Sequence, residues 1–202
     1  MDLFQLLQSQ LGDNVVDQLS KQIRSDKEKT SSAANGIFAS LVSALSRNAS
    51  QPSGAQALLG AIDRDHDGSV LDDVLGMFSG QGKQQQQKSM NGLGILDHVL
   101  GGKTNNVVQV VSQSSGLDFL KTGQLMQMLA PMVMGALGKA KKQQNLDQNG
   151  LSALLSNTVS EATNQRKEMS FISKILDADG DGSVMDELAG FGMKALGGLF
   201  KK

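Results

Sequence analysis

The chain contains no cysteine, no tryptophan and no tyrosine, and only seven phenylalanines among its 202 residues. Without cysteine, disulfides, thiolate metal sites and thiol nucleophiles are all excluded. Aromatic faces on which single-stranded nucleic acid stacks are scarce. The net charge is −1 at pH 7 and there is no long basic run, so we also expect no nucleic-acid binding driven by phosphate neutralisation.

Long apolar runs and enzyme motifs are missing as well. No window approaches the roughly 18 to 20 apolar residues that cross a bilayer as a helix. The first residues, Met1 to Asn14, lack the basic start and the apolar stretch of a secretory signal. There is also no nucleophile elbow, no Walker loop and no dinucleotide fingerprint. We therefore expect a cytoplasmic protein that is not an enzyme and has no transmembrane segment.

Two similar acidic segments are the most informative feature that is present. The string DRDHDGSVLDD at residues 63–73 recurs as DADGDGSVMDE at residues 177–187. Each has acidic residues at positions 1, 3 and 5, glycine at position 6 and serine at position 7, as in an EF-hand calcium loop. Clustered carboxylates repel one another unless a cation lies among them, and Ca²⁺ takes about six to eight oxygen ligands. The sequence therefore predicts one Ca²⁺ ion in each loop.

The closing ligand of each loop departs from the EF-hand pattern. Position 12, normally a bidentate glutamate, is Val74 in the first loop and Leu188 in the second. The serine at position 7 begins a Ser-x-x-Asp capping box, which predicts a helix that starts early and brings the acid at position 10 into the closing place. We favour the position-10 acids, with the position-11 acids next. The predicted calcium ligands are Asp63, Asp65, Asp67, Ser69, Asp72 and Asp73 in the first loop and Asp177, Asp179, Asp181, Ser183, Asp186 and Glu187 in the second.

We expect the bound ions to order the adjoining helices, for assembly or partner recognition. Two alternatives to this hypothesis stay open. Acidic residues near a helix N-terminus are favourable without any metal, so the loops could be solvated turns of a metal-independent helical scaffold or interaction protein. A third hypothesis is a calcium-gated protein that binds a membrane surface through its C-terminal segment, although a helix packed on the core accounts better for that segment. Self-association or a protein partner is compatible with all three.

The order of features repeats along the chain. Asn14-Val15-Val16 matches Asn106-Val107-Val108 at an offset of 92, Gly54 matches Gly150 at 96, and the acidic loops match at 114. We interpret this as a tandem duplication with halves at residues 1–79 and 92–202. The Gln-rich segment between them, residues 80–91, is typical of a flexible linker.

The apolar residues have helical spacing in both halves. Residues 37, 38, 41, 42 and 45 form one such stripe. The segment from Leu125 to Leu137 is apolar nearly all round, which predicts a buried central helix, and Pro131 inside it predicts a kink or a break. No stretch alternates long enough to predict a strand. The predicted fold is all-α, with two tandem helical repeats that each carry an EF-hand-like acidic loop.

Several segments together resemble a known family. They are the Leu-Phe-Gln-Leu-Leu start, the Asn-Val-Val segment, the helix Ala34–Ala39 and the Asp-x-Asp-x-Asp-Gly-Ser-Val loop. The chain resembles the bacterial family of uncharacterised proteins called domain of unknown function 937, over most of residues 1–79 and more loosely over the second half. The resemblance implies a bacterial, helical protein and brings no activity. The loops also resemble short EF-hand-like and dockerin-like loops.

Overall fold

The computed structural model describes residues 3–65 and 91–164. All regular structure in these two ranges is helical, which confirms the all-α prediction for them. The first range contains α1 (Leu3–Gln10), α2 (Asp13–Ile23), α3 (Lys27–Ala49) and α4 (Pro52–Asp65). The second contains α5 (Gly92–Leu100), a 3₁₀ turn (Gly101–Lys103), α6 (Thr104–Ser115), α7 (Phe119–Gln144) and α8 (Gln148–Asn164). None of these helices is long and apolar enough to cross a membrane.

The two longest of these helices, α3 with 23 residues and α7 with 26, form the centre of the fold. They contact each other, and α3 contacts every other described helix. This close packing is possible because α3 carries a run of small buried residues, among them Ala33, Ala34, Gly36 and Ser40. Residues on all sides of α7 are also buried, which confirms the buried central helix predicted from its apolar composition.

Pro131 does not break α7, which continues through it from Phe119 to Gln144. Because proline has no N–H, the carbonyl of Gln127 lacks its usual helical donor four residues further on. The start of α5 packs against this carbonyl, and a Cβ atom added at Gly92 would overlap the Gln127 oxygen. A residue without a side chain is therefore needed where α5 crosses α7.

Helices from both predicted halves contribute to one hydrophobic core. The first-half helix α1 packs against α7 and α8, and the second-half helices α5, α6 and α8 pack against α3. The buried cluster includes Leu7 and Phe38 from the first range and Leu125 and Leu155 from the second. The duplication itself stays a prediction. The predicted linker lies outside the described residues except for Asn91, whose side chain accepts a hydrogen bond of 3.0 Å from the Gly94 amide at the start of α5.

Candidate functional site

The first acidic loop begins at the end of α4. Ile62 is 1% exposed and fixes this last turn to the core, while the side chain of Asp63 is 59% exposed. Asp65, the third loop position, is the last residue of α4. The first predicted ligand is therefore held at the end of a helix that is anchored in the core.

The carboxylate of Asp63 forms an ion pair with the ammonium group of Lys141. Lys141 lies in the last turn of α7, where a basic side chain also stabilises the negative end of the helix dipole. Its side chain is only 23% exposed, so it is held more firmly than its partner. Lys141 thus supplies the positive charge that a bound cation would supply to Asp63.

A cavity of about 290 Å³ surrounds this ion pair. Its walls include Ile62 from α4 and Lys142 and Asn145 from the end of α7. Asn145 has a left-handed backbone with φ of 50°, which ends the helix and lets the Leu146 amide donate to the Lys141 carbonyl at 3.0 Å. Within residues 3–65 and 91–164, no group of three or more acidic, histidine or cysteine residues is placed to hold a metal ion.

Most of the predicted calcium ligands lie outside the described residues. These are Asp67, Ser69, Asp72 and Asp73 of the first loop and Asp177, Asp179, Asp181, Ser183, Asp186 and Glu187 of the second. Only the beginning of the first loop can therefore be compared with the structure, and the calcium assignment stays a prediction.

A second and larger cleft, of about 580 Å³, was not found by sequence reasoning. It lies between the α2–α3 corner (residues 24–26) and the α6–α7 corner (residues 116–118), and we call it the corner cleft. Its charged side chains are the cations Lys21, Arg24, Lys27, Lys29 and Lys121 and the carboxylates Asp17, Asp26 and Asp118. The cleft therefore has an excess of positive charge, although the whole chain has a net charge of −1. A repeated Asp-x-x-Lys-Thr sequence, at residues 26–30 and 118–122, was the signal that could have found it.

The two corners have the same backbone design. The residue that follows α2 is Arg24, with φ of 52°, and the residue that follows α6 is Gly116, with φ of 68°; both lie in the left-handed region. The next helix begins after an aspartate in each case. Asp118 caps α7 by accepting hydrogen bonds from the Leu120 and Lys121 amides at 2.9 and 3.2 Å. The side chain of Asp26 makes no such cap bond and lies 3.6 Å from Lys29.

A lysine side chain from each corner also reaches the opposite corner. The ammonium group of Lys121 donates a hydrogen bond of 2.6 Å to the carbonyl of Arg24. In the opposite direction, Cε of Lys29 lies 4.0 Å from where a Cβ atom of Gly116 would be. Lys29 and Lys121 are themselves 92 residues apart, so equivalent positions flank the cleft from its two sides.

An ion-pair network occupies the α2 side of the cleft. Asp17 contacts Lys21 at 2.6 Å and Lys27 at 2.7 Å. The hydrogen bonds from these two lysines lower the pKa of Asp17, and the hydrogen bond to Asp17 raises the pKa of Lys27. Lys21 and Lys27 thus share the single negative charge of Asp17, and Lys29 lies 3.6 Å from Asp26. Arg24 and Lys121 form no ion pair with any described residue, so Arg24, Lys29 and Lys121 are the cations with the weakest pairing.

The fold and sequence define a helical protein of a bacterial family. The chain belongs to the family described as bacterial protein of unknown function (DUF937), whose sequence model matches residues 5–140. The matched region contains the corner cleft and the first acidic loop, and it ends before the second loop. No curated protein and no solved structure matches the chain.

Proposed function

We propose that this protein is a non-enzymatic, calcium-binding helical protein. Each of its two acidic loops binds one Ca²⁺ ion and orders the adjoining helices for assembly or partner recognition. The observation that carries the proposal is the position of Asp63 and Asp65 at the end of a core-anchored helix. The first ligand of an EF-hand-like loop lies at the end of the entering helix, as Asp63 does here. Because residues two apart on a helix do not face each other, the proposal requires the chain to leave the helix after Asp63 so that Asp65 turns to the same ion.

The ion pair with Lys141 is compatible with calcium binding because it is weak. Asp63 is 59% exposed, and exposed ion pairs contribute only about 0 to 1 kcal/mol to stability. A divalent ion that gathers several carboxylates at once is a much stronger partner than one ammonium group. Calcium therefore displaces Lys141 at little energetic expense.

The internal repeat supports a second, equivalent site. The helices α1 to α4 have 8, 11, 23 and 14 residues, and α5 to α8 have 9, 12, 26 and 17 in the same order. The first loop begins within the fourth helix of its half. By the same order of features, the second loop belongs to the region that follows α8, so we propose two tandem repeats with one EF-hand-like loop each.

One observation favours a different function. Because the ammonium group of Lys141 pairs with the Asp63 carboxylate, the acidic turns are also compatible with a metal-independent helical scaffold. In that case the aspartates stabilise the ends of helices and contact lysines of neighbouring helices.

Calorimetric titration with Ca²⁺ separates the two functions. We expect two binding equivalents in the wild type, one in Asp63→Ala and one in Asp177→Ala, and none in the double variant. Asp97→Ala removes an exposed carboxylate from α5 and serves as the charge-matched control, with both equivalents retained. Unchanged stoichiometry in both single variants would refute the site assignment. A folded wild type that releases no heat with Ca²⁺ would support the scaffold.

A further inference from the structure

The corner cleft is separate from the acidic loops and gathers several cations. It is formed by residues 17–29 and 116–121, far along the chain from both loops. Its three weakly paired cations come from three different positions, the end of α2, the first turn of α3 and the first turn of α7. Cations gathered from separate elements around one cavity of about 580 Å³ indicate a binding site for an anion.

Arg24 is the least expected of these cations. Its left-handed backbone is disfavoured for a residue with a Cβ atom, and the equivalent corner has Gly116. A corner that only had to turn would be more stable with glycine. The guanidinium group makes no hydrogen bond or ion pair with any other described residue, although the side chain lines the cleft. The guanidinium group of Arg24 therefore has all of its donors available to a ligand in the cleft.

The neighbouring groups complete the chemistry. An arginine fork matches two oxygens of a phosphate group, and a lysine adds a point charge. Lys121 already spans the cleft to the Arg24 carbonyl, and Lys29 reaches towards Gly116 from the other side. The first turn of α3, whose Asp26 makes no side-chain cap, adds the positive end of a 23-residue helix.

We propose that the corner cleft binds a phosphate-bearing anion through Arg24, Lys29 and Lys121. The volume exceeds what a single phosphate group fills, so a diphosphate or a phosphorylated headgroup fits better. Of the three carboxylates in the cleft, Asp17 pairs with two lysines, Asp118 caps α7 and Asp26 lies 3.6 Å from Lys29. The five cations still exceed these three carboxylates, so the cleft keeps an excess of positive charge.

The phosphate group could belong to a free ligand or to an anionic lipid. Two large apolar side chains lie beside the cleft at the start of α7, Phe119 with 43% and Leu120 with 72% exposure. A lipid headgroup in the cleft would bring these side chains to the membrane surface, where they would insert. A free phosphate ligand makes no use of them, so Leu120 distinguishes the two sources.

The first arm of the test uses inorganic pyrophosphate and the full chain in low salt with a chelator present, so that calcium plays no part. We expect binding in the wild type and a loss of about tenfold or more in affinity for Arg24→Gly, because a charge-assisted bidentate contact is removed. Arg24→Gly should keep or raise the melting temperature, which excludes unfolding as the cause. Lys29→Gln should also weaken binding. Lys103→Gln, which removes an exposed charge outside the cleft, should change affinity by less than about twofold.

The second arm uses vesicles of phosphatidylglycerol mixed with phosphatidylcholine, with phosphatidylcholine alone as the control. Co-sedimentation that needs both Arg24 and Leu120 assigns the ligand to a lipid headgroup. Pyrophosphate binding that needs Arg24 and tolerates Leu120→Ser assigns it to a free phosphate. The proposal is overturned if neither probe binds, or if Arg24→Gly binds every probe as the wild type does.

Discussion

The α2–α3 corner and the α6–α7 corner reach the same geometry with different side chains. Arg24 and Gly116 are 92 residues apart and both have positive φ angles. Thr30 and Thr122, also 92 apart, are both fully buried and donate hydrogen bonds of 2.7 and 2.8 Å to the carbonyl of the aspartate four residues earlier. The two corners therefore share the backbone of the turn and the hydrogen bond in the first turn of the next helix. They differ in the residue at the left-handed position.

The charges differ between the corners far more than the backbone does. Asp17, Lys21 and Lys27 form an ion-pair network. The residues 92 positions further along the chain are Gln109, Gln113 and Phe119. The first corner therefore supplies most of the cations of the cleft, and the second supplies Lys121 and the exposed apolar side chains. The two corners thus combine a similar backbone with different surface charges.

The largest difference between equivalent positions should appear at Gly54 and Gly150, the third residues of α4 and α8. A Cβ atom at Gly54 would overlap the backbone carbonyl of Asn48, whereas at Gly150 its nearest neighbours are side-chain atoms of Leu146 and Asp147 at 3.1 and 3.3 Å. Gly54→Ala should destabilise the protein by about 1 to 3 kcal/mol because the end of α3 must shift. Gly150→Ala should change stability by less than about 1 kcal/mol. Urea unfolding followed by circular dichroism measures both, and equal losses would contradict the difference in packing.

The buried threonines should behave alike. Thr30→Val and Thr122→Val each remove one hydrogen bond without changing the volume of the side chain. Each aspartate carbonyl still accepts the backbone bond from residue 30 or 122, at 3.0 and 2.8 Å, so no acceptor is left unpaired. We expect each variant to lose about 1 kcal/mol in the same urea experiment. A loss at only one corner would show that the two helix starts are not equivalent.

The left-handed positions should respond in opposite directions. Arg24→Gly removes the strain of a Cβ atom at positive φ and should raise the free energy of unfolding by about 0.5 to 1 kcal/mol. Gly116→Ala introduces that strain at φ of 68° and should lower it by about 1 kcal/mol. Thermal unfolding at fixed pH measures both changes. A destabilised Arg24→Gly would mean that the arginine side chain stabilises the corner.

Much of this architecture could be predicted from the sequence, and the rest depends on contacts between distant residues. The apolar spacing predicted the helical fold and the buried helix around Leu125 to Leu137, because burial on all sides leaves no polar face. From the same local pattern we predicted a kink or a break at Pro131; there is no break, and the helix that continues through the proline packs against α5 and α3. The corner cleft was missed because its key contact, from Lys121 to Arg24, joins residues 97 positions apart. The acidic loops were found as motifs, but of their ligands only Asp63 has a described contact, and that contact is a lysine.

Lys141 gives a way to compare the first acidic loop with the second. Lys141→Met removes the competing charge at Asp63 and should change stability by less than about 1 kcal/mol, since the aspartate is exposed. On the proposed function, calcium affinity of the first loop should rise up to about fivefold, measured by calorimetry in the Asp177→Ala background. In the Asp63→Ala background, where only the second loop binds, the same change should have no effect. Lys142→Met is the matched control, because Lys142 lines the same cavity and forms no ion pair with Asp63. An unchanged first-loop affinity would show that Lys141 does not compete with the ion.

The smallest effect should come from the ion pairs that only the first corner has. The pKa of Asp17 lies below its ordinary value of 3.8 because Lys21 and Lys27 donate hydrogen bonds to its carboxylate. Since the folded-state pKa is the lower one, the stabilisation is complete above pH 3.8 and is lost as the pH falls through the folded-state value. The pKa of Lys27 is raised, so its contribution to stability is lost only at alkaline pH, as the pH rises beyond 10.5.

Melting temperatures of the wild type and Asp17→Asn should therefore differ by a constant amount near neutrality and converge in acid. Asp97→Asn, at an exposed carboxylate without an ion pair to any described residue, should show no such convergence. If the melting temperature of Asp17→Asn stays parallel to that of the wild type in acid, the ion pairs of Asp17 do not stabilise the α2–α3 corner.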